Sequence, residues 1–358
     1  MRILQISSAR SFGGGERHLV DLTSGLSQRG HDLFVALVPD SPLRAPLSQI
    51  DSVKIITLPL RNAADLSSAW KLRKLARENQ IEIIHAHAAR DYPLAAVAVG
   101  SLEAKLVLTR HVLFPLSRVH KLTRRRVARV IAISKAVADN LNAQQIFDRD
   151  QITIIRHGID LNRFQGRKES ESGRPVRVGI LGEISTVKGQ DDFVRAAAIL
   201  AQQSDNIEFV IAGIDNSSDG RNRKQIEELI AEHELDRRVR LFETLDDVPG
   251  FLSSLDVFVS ASRSEAFGLA IAEAMASGVP VVATRTPGAE EVIEHDRTGL
   301  LVPIGDFTKL AQALGGLLSD SRQREILAEN ARRDVAEKFS LDRMISETEN
   351  IYREISGS

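Results

Sequence analysis

Two carboxylates with seven residues between them carry the chemistry that this chain offers most plainly. Glu265 and Glu273 stand in SEAFGLAIAEAMASGVPVVAT, residues 264–284. Ala270, Ala274 and Met275 recur at helical spacing, which predicts a helix from Phe267 to Met275, closed by Gly278 and Pro280. VPVVAT then reads as a short buried parallel strand. Glu265 therefore lies on the loop feeding the helix, and Glu273 lies on the helix itself. The first helical N–H groups, from about Phe267 to Ala270, have no intrahelical partners and carry partial positive charge, so a diphosphate can sit there. Glu265 can accept hydrogen bonds from hydroxyls on one side of it and Glu273 from ribose hydroxyls on the other. That arrangement suits a sugar nucleotide.

Other candidates lie in the first half. Gly13-Gly14-Gly15 follows the first predicted strand and lets backbone approach a ligand beside a helix N-terminus. The GxGxxG fingerprint is absent, which disfavours a nicotinamide or flavin cofactor. His85 and His87 alternate on a strand, so both imidazoles share one face. No third ligand is evident, and no metal is expected. His111 ends the strand KLVLTRHV, where a neutral imidazole can position hydroxyls or share a proton. The run 118–130 interleaves Arg118, Lys121, Arg124, Arg125, Arg126 and Arg129 with Val119, Leu122, Val127 and Val130, and reads as an amphipathic basic helix. Its bland reading is a solvated face. Its sharper reading is docking to anionic lipid head groups or a phosphorylated acceptor, each nearby cation adding about 1 kcal/mol at a charged membrane.

The elements that must position these residues follow a strand–loop–helix rhythm, with helices expected near 41–50 and 65–79 and another capped by Ser134, and the rhythm restarts near residue 176. A length of 358 residues fits two ordinary domains. We expect a first Rossmann-like domain over 1–165, a polar linker over 166–175, a second over 176–339, and a last helix over 340–358. No apolar run approaches the roughly 18 residues of a membrane span, and the absence of cysteine removes disulfides and thiolate metal sites. Charge is uneven. Residues 1–165 hold 24 Lys and Arg against 14 Asp and Glu, and the remainder 23 against 34. Nucleic acid is a poor fit to the basic half, because aromatics make up only 4% of the chain.

The stretch from Glu265 to the strand GLLVP resembles the retaining family-4 glycosyltransferases of the GT-B fold, whose signature is two glutamates seven residues apart, then GVPVVAT and GLLVP strands. The likeness spans nearly the whole chain, strongest over 176–306. It implies an α/β architecture of two doubly wound Rossmann-like domains facing across a cleft, the second binding the nucleotide sugar. By resemblance, Glu265 contacts the donor sugar, Glu273 the ribose, and the amides of Phe267 and Gly268 the phosphates. Lys188, before Gly189, matches a family lysine on the donor phosphates. Gly14 and Gly15, followed by Glu16, match a glycine loop across from those phosphates. His111 matches a histidine near the transferred sugar, and His87 a frequent family histidine. Pro287-Gly288 and Glu291 match a glycine turn and a glutamate on the next helix. Two positions depart from the pattern. His157 replaces the usual asparagine, and Glu183 stands where the family carries a phosphate-binding arginine, for which Arg263 is a candidate substitute.

The resemblance implies sugar transfer from a nucleotide diphosphate sugar to a glycan or lipid-linked acceptor, with retained anomeric configuration. Glu265, His111 and Lys188 are the catalytic candidates, and no metal or other cofactor is required. The expected setting is cell-envelope polysaccharide or lipopolysaccharide synthesis in the cytoplasm, with peripheral contact at the inner face of the membrane. A sugar-nucleotide epimerase, a phosphorylase-like enzyme with bound pyridoxal, and a non-catalytic sugar-nucleotide binder are the alternatives.

Overall fold

The computed structural model describes residues 1–164, 173–243, 245 and 247–357. The expected linker lies largely outside them, as does Thr244. Within them the chain forms two compact units, one of Met1–Gly158 with Leu341–Ser358 and one of Ile159–Ser340.

The first unit opens with β1 (Arg2–Ser7), α1 (Gly14–Gln28), β2 (Asp32–Leu37), α2 (Arg44–Leu47) and β3 (Val53–Thr57). It continues with α3 (Leu66–Glu78), β4 (Ile83–Ala86), α4 (Tyr92–Val99), β5 (Lys105–Arg110), β6 (Val127–Ala132), α5 (Lys135–Gln144) and β7 (Ile152–Ile154). Its parallel sheet has the order β3-β2-β1-β4-β5-β6-β7. The second unit runs β8 (Val176–Leu181), α6 (Gln190–Ala201), β9 (Ile207–Ala212), α7 (Arg221–Glu232), β10 (Val239–Phe242), α8 (Val248–Ser253) and β11 (Val257–Ser260). Then follow α9 (Leu269–Ala276), β12 (Val281–Thr284), α10 (Pro287–Val292), β13 (Leu300–Val302), α11 (Phe307–Ser319) and α12 (Ser321–Lys338). Its sheet order is β10-β9-β8-β11-β12-β13. The last helix, α13 (Leu341–Ser356), belongs to the first unit.

Both sheets are doubly wound. In each, the chain goes one way from the first strand and then returns to its other side, at β1/β4 and at β8/β11. Ligands bind outside the carboxyl ends of strands at such switch points. The central strands are buried almost throughout, as a sheet covered on both faces requires. In the second unit Phe193 of α6 meets Phe209 of β9 edge to face, ring centres 6.1 Å apart, inside an aliphatic core. In the first unit α13 packs Met344, Ile345, Ile351 and Tyr352 into the core around α1 and β1.

Three expected elements differ. The basic helix over 118–130 does not form. Arg118–Leu122 and Arg124–Arg126 are short 3₁₀ turns, and the chain enters β6 at Val127. The β-branched residues of VARVIA fit a half-pleated surface better than a helix, and β6 fills the place between β5 and β7. The helix expected near 41–50 shrinks to Arg44–Leu47, with Pro42 ahead of it and Pro46 inside it. The helix expected from Phe267 starts at Leu269, because Gly268 takes a left-handed φ of 91°. Ser134 caps α5 as expected, accepting from the Val137 amide at 3.2 Å.

Candidate functional site

In the second unit the candidates gather beyond the carboxyl ends of β8 and β11. Lys188 arrives on the loop after β8 and Glu265 on the loop after β11. Lys188 Nζ stands 2.7 Å from Glu265 Oε2, and Ser262 Oγ lies 3.4 Å from the same oxygen. Both side chains keep partial exposure, 31% and 18%, so a ligand can reach them.

The two loops are stitched together by backbone. The Arg263 amide donates to the Val187 carbonyl at 2.7 Å, and Gly288 at the start of α10 donates to the Glu265 carbonyl at 3.0 Å. Thr284 Oγ1, at the end of β12, donates to the Ser262 carbonyl. Gly189 has φ 69°, and a Cβ there would stand 2.1 Å from the Ala261 carbonyl oxygen, so only glycine lets the lysine loop lie against the glutamate loop. The N-terminus of α9 has no side-chain cap, which leaves its first amides to serve an anion. The Phe267 side chain is core, edge to face on Phe339 with ring centres 5.6 Å apart, so only its backbone is a candidate for phosphate contact. Glu273 is half-buried on α9. A small hollow lies over Leu181, Lys188, Ser262, Glu265 and Ala270, and neither Glu273 nor Phe267 lines it. A larger hollow of about 220 Å³, lined by Thr186, Asp191 and Asn222, carries none of the candidates.

Arg263, the candidate substitute for the family arginine, is held by a pair of carboxylates. Its guanidinium forks onto Asp191, at 2.9 Å to each oxygen, and reaches Asp192 Oδ2 at 2.7 Å and the Thr186 carbonyl at 2.6 Å. Two adjacent carboxylates at the start of α6 demand a bidentate cation, and Arg263 supplies it. Glu183 is exposed, with its carbonyl accepting from Gln190 Nε2 at 2.9 Å.

In the first unit the candidates gather beyond β1, β4 and β5. Gly13 precedes α1, and Glu16 Oε2 accepts from the Gly13 amide at 3.0 Å, so Glu16 caps the loop that holds Gly14 and Gly15. Burial raises the Glu16 pKa against the hydrogen bonds that lower it. A Cβ on Gly15 would meet the His111 ring at 3.3 Å, which sets the glycine loop directly against that imidazole.

Five histidines assemble here. His85 and His87 do share a face, ring centres 4.1 Å apart. Their roles divide. His85 is bound at both nitrogens, to Tyr352 OH at 2.5 Å and Thr109 Oγ1 at 2.7 Å, and belongs to the packing of α13. His87 Nε2 lies 2.6 Å from Gln5 Oε1. His18 of α1 stands 5.0 Å from His111 and 4.9 Å from His157, ring centre to ring centre. Burial pushes His85 down to about 3 and His157 down to about 4. It pushes His18, His87 and His111 well below the ordinary imidazole value, with repulsion among the rings adding to it. The rings are therefore neutral near pH 7. The expectation that His85 and His87 lack a third partner is corrected, since the fold delivers His18 and His111 to His87. His18 was not legible as a site residue, and His157 was legible only as a departure from the family pattern. His18 sits on an ordinary buried helix face, and only the position of α1 over the strand ends brings it in.

Of the basic residues, Arg118, Lys121, Arg125 and Arg126 are exposed. Arg124 pairs with Asp148 at 3.7 Å, and Arg129 with Glu354. Phe114 at 74%, Val119 at 54% and Leu122 at 85% exposure share this segment. No helix among the described residues is long and apolar enough to cross a membrane.

Two doubly wound units, each carrying its candidates at a switch point, define the GT-B glycosyltransferase architecture. Residues 12–163 match the family described as Glycosyltransferase Family 4, and residues 162–334 the one described as Glycosyl transferases group 1. The chain belongs to the family-4 glycosyltransferases. N-acetyl-alpha-D-glucosaminyl L-malate synthase of Bacillus anthracis is 29% identical over 315 residues, covering 81% of this chain and 79% of that protein. D-inositol 3-phosphate glycosyltransferase of Salinispora tropica is 31% identical over 245 residues, 63% of this chain and 51% of that one. The crystal structure of Anabaena Alr3699/HepE in complex with UDP and glucose superposes with a TM-score of 0.86 at 23% identity, covering 98% of both chains. At that identity the likeness speaks for the fold.

Proposed function

We propose that this glycosyltransferase moves a sugar, with retained anomeric configuration, from a nucleotide diphosphate sugar to a glycan or lipid-linked acceptor. The observation that carries the reading is the convergence of Lys188 and Glu265 beside the uncapped start of α9. A cation and uncapped amides suit a diphosphate, and an acceptor-rich carboxylate suits sugar hydroxyls. Lys188 and the amides near Gly268 stabilise the leaving diphosphate, Glu265 orients the donor sugar, and Glu273 accepts from ribose. In the first unit, His111 offers a neutral imidazole to a hydroxyl, and Gly14 and Gly15 offer backbone that an anionic ligand can approach closely. The departing phosphate takes the acceptor proton, so the reading needs no protein nucleophile and routes no step through a metal.

The UDP and glucose of the HepE complex support the donor class. The inositol phosphate in a relative's name, with the surplus of cations in the first half, favours a phosphorylated or lipid-linked acceptor of the cell envelope. Arg118, Lys121, Arg125 and Arg126, beside exposed Phe114, Val119 and Leu122, would rest on an anionic membrane surface. Cytoplasmic placement follows from that donor and remains part of the proposal.

The test is a thermal-shift screen of nucleotide sugars, followed by proton NMR of the product's anomeric signal. A bound donor at a hundredfold excess over its Kd stabilises the fold by about 2.7 kcal/mol. An inverted product sinks the retaining assignment. Binding without transfer to any acceptor would restore the non-catalytic alternative.

A further inference from the structure

His18, His87 and His111 come from α1 and from the chain just beyond β4 and β5. Their ring centres form a triangle with sides of 5.0 Å, 5.9 Å and 6.0 Å. One ring nitrogen from each lies within 4.8 Å of the other two. A zinc ion takes imidazole nitrogen at about 2.0–2.1 Å, which puts ring centres about 3.2 Å from the ion and about 5 Å from one another at tetrahedral angles. The observed triangle is that size or up to about 1 Å wider. Small ring rotations close it.

The hydrogen bonding points the same way. His87 donates from Nε2 to Gln5 Oε1, which leaves Nδ1 with its lone pair. That Nδ1 is buried without a protein partner, and so are His18 Nδ1 and both nitrogens of His111. A buried polar atom left unsatisfied costs on the order of 1–3 kcal/mol. One nitrogen from each of the three rings faces the others closely enough to share a ligand. An imidazole that binds metal usually donates its other N–H to an oxygen, as His87 does. His85 has both nitrogens engaged and drops out.

We propose that His18, His87 and His111 form a binding site for a late first-row divalent metal ion of the zinc type, with a fourth position left to water or a ligand oxygen. Three imidazoles without a carboxylate suit zinc, cobalt, nickel or copper and select against magnesium and calcium. The proposal shares His111 with the transfer reading, and binding is measured with no sugar present so that the two can fail separately.

The test uses the whole chain, stripped with a chelator, dialysed and titrated with Co²⁺. The expected result is one equivalent bound at micromolar concentration, with the visible absorption of a four-coordinate ion that Zn²⁺ then abolishes. His18→Asn and His87→Asn each weaken the affinity by about tenfold or more. His233→Ala, an exposed histidine of the second unit, leaves it unchanged. Should the two site variants fail to fold, X-ray absorption on zinc-loaded wild-type protein decides. Three imidazole ligands support the site, and fewer overturn it. Failure of wild-type protein to bind cobalt stoichiometrically, or unchanged affinity in folded His18→Asn and His87→Asn, also overturns it.

Discussion

Lys188 Nζ and Glu265 Oε2 lie 2.7 Å apart across 77 residues of sequence, and the ion pair sits at the mouth of α9 rather than in the core. A partly exposed pair of this kind adds little to stability. Its value lies in holding a cation and an acceptor at one point.

Glu265 and Glu273 should therefore separate in kinetics. Glu265→Ala is expected to lower kcat by about 10- to 100-fold, the loss of one charge-assisted hydrogen bond to the reacting sugar, with nucleotide affinity nearly unchanged. Glu273→Ala is expected to weaken nucleotide binding by a similar factor. Calorimetric titration with the nucleoside diphosphate and steady-state kinetics check both. If neither variant changes either quantity, the donor site lies elsewhere.

Gly189→Ala tests the lysine loop. The residue would need a left-handed backbone, at about 1–2 kcal/mol, and its Cβ would meet the Ala261 carbonyl oxygen, which cannot swing away as a side-chain tip could. We expect lower stability in urea and weaker donor binding together, because Lys188 moves with the loop. A variant as stable as wild type would show that the two loops are not locked to one another.

Arg263→Ala tests whether the guanidinium is a clamp or a phosphate ligand. Hydrogen bonds from Arg263 and Arg195 overcome burial and hold Asp191 below the usual carboxylate range, while burial and its neighbour Asp191 raise Asp192. Removing Arg263 leaves the two acids facing each other. Discounted for the 35% exposure of Arg263, the cost is about 1–3 kcal/mol in urea denaturation. Unchanged stability with lost nucleotide affinity would move Arg263 to the phosphates after all.

Acid should loosen the first unit through Glu349. Burial raises this carboxyl, but hydrogen bonds from Arg29 at 2.8 Å, Arg353 at 2.7 Å and His31 at 3.1 Å outweigh it and hold it at about 2. The folded value is below the unfolded one of about 4.3, so its contribution is present above that pH and fades as pH falls toward 2. Burial lowers His31, offset in part by Glu349. The unfolded chain thus binds that proton more readily, and stability also declines as pH drops below about 6.5. Urea midpoints measured from pH 7 to pH 3 should fall in both stages, and Glu349→Gln should flatten the lower one.

What could be read without coordinates was what repeats locally. The parallel strands announced themselves as short apolar runs, the caps at Ser134 and Gly278 as single residues, and the paired glutamates by spacing against a helix start. The basic run misled, because alternating cations and valines satisfy a helical pattern and a strand equally. Only the pairing of β6 between β5 and β7 decides between them.

The amino-acid order alone determined two doubly wound halves and a carboxylate pair at a helix mouth, since helix starts and strand ends follow from residues a few places apart. The tertiary structure decided which distant groups share a point. It spent Arg263 on Asp191 and Asp192, joined Lys188 to Glu265, and brought His18 of α1 to His87 and His111. Those meetings depend on strand order and helix placement over many tens of residues, and no local spacing encodes them.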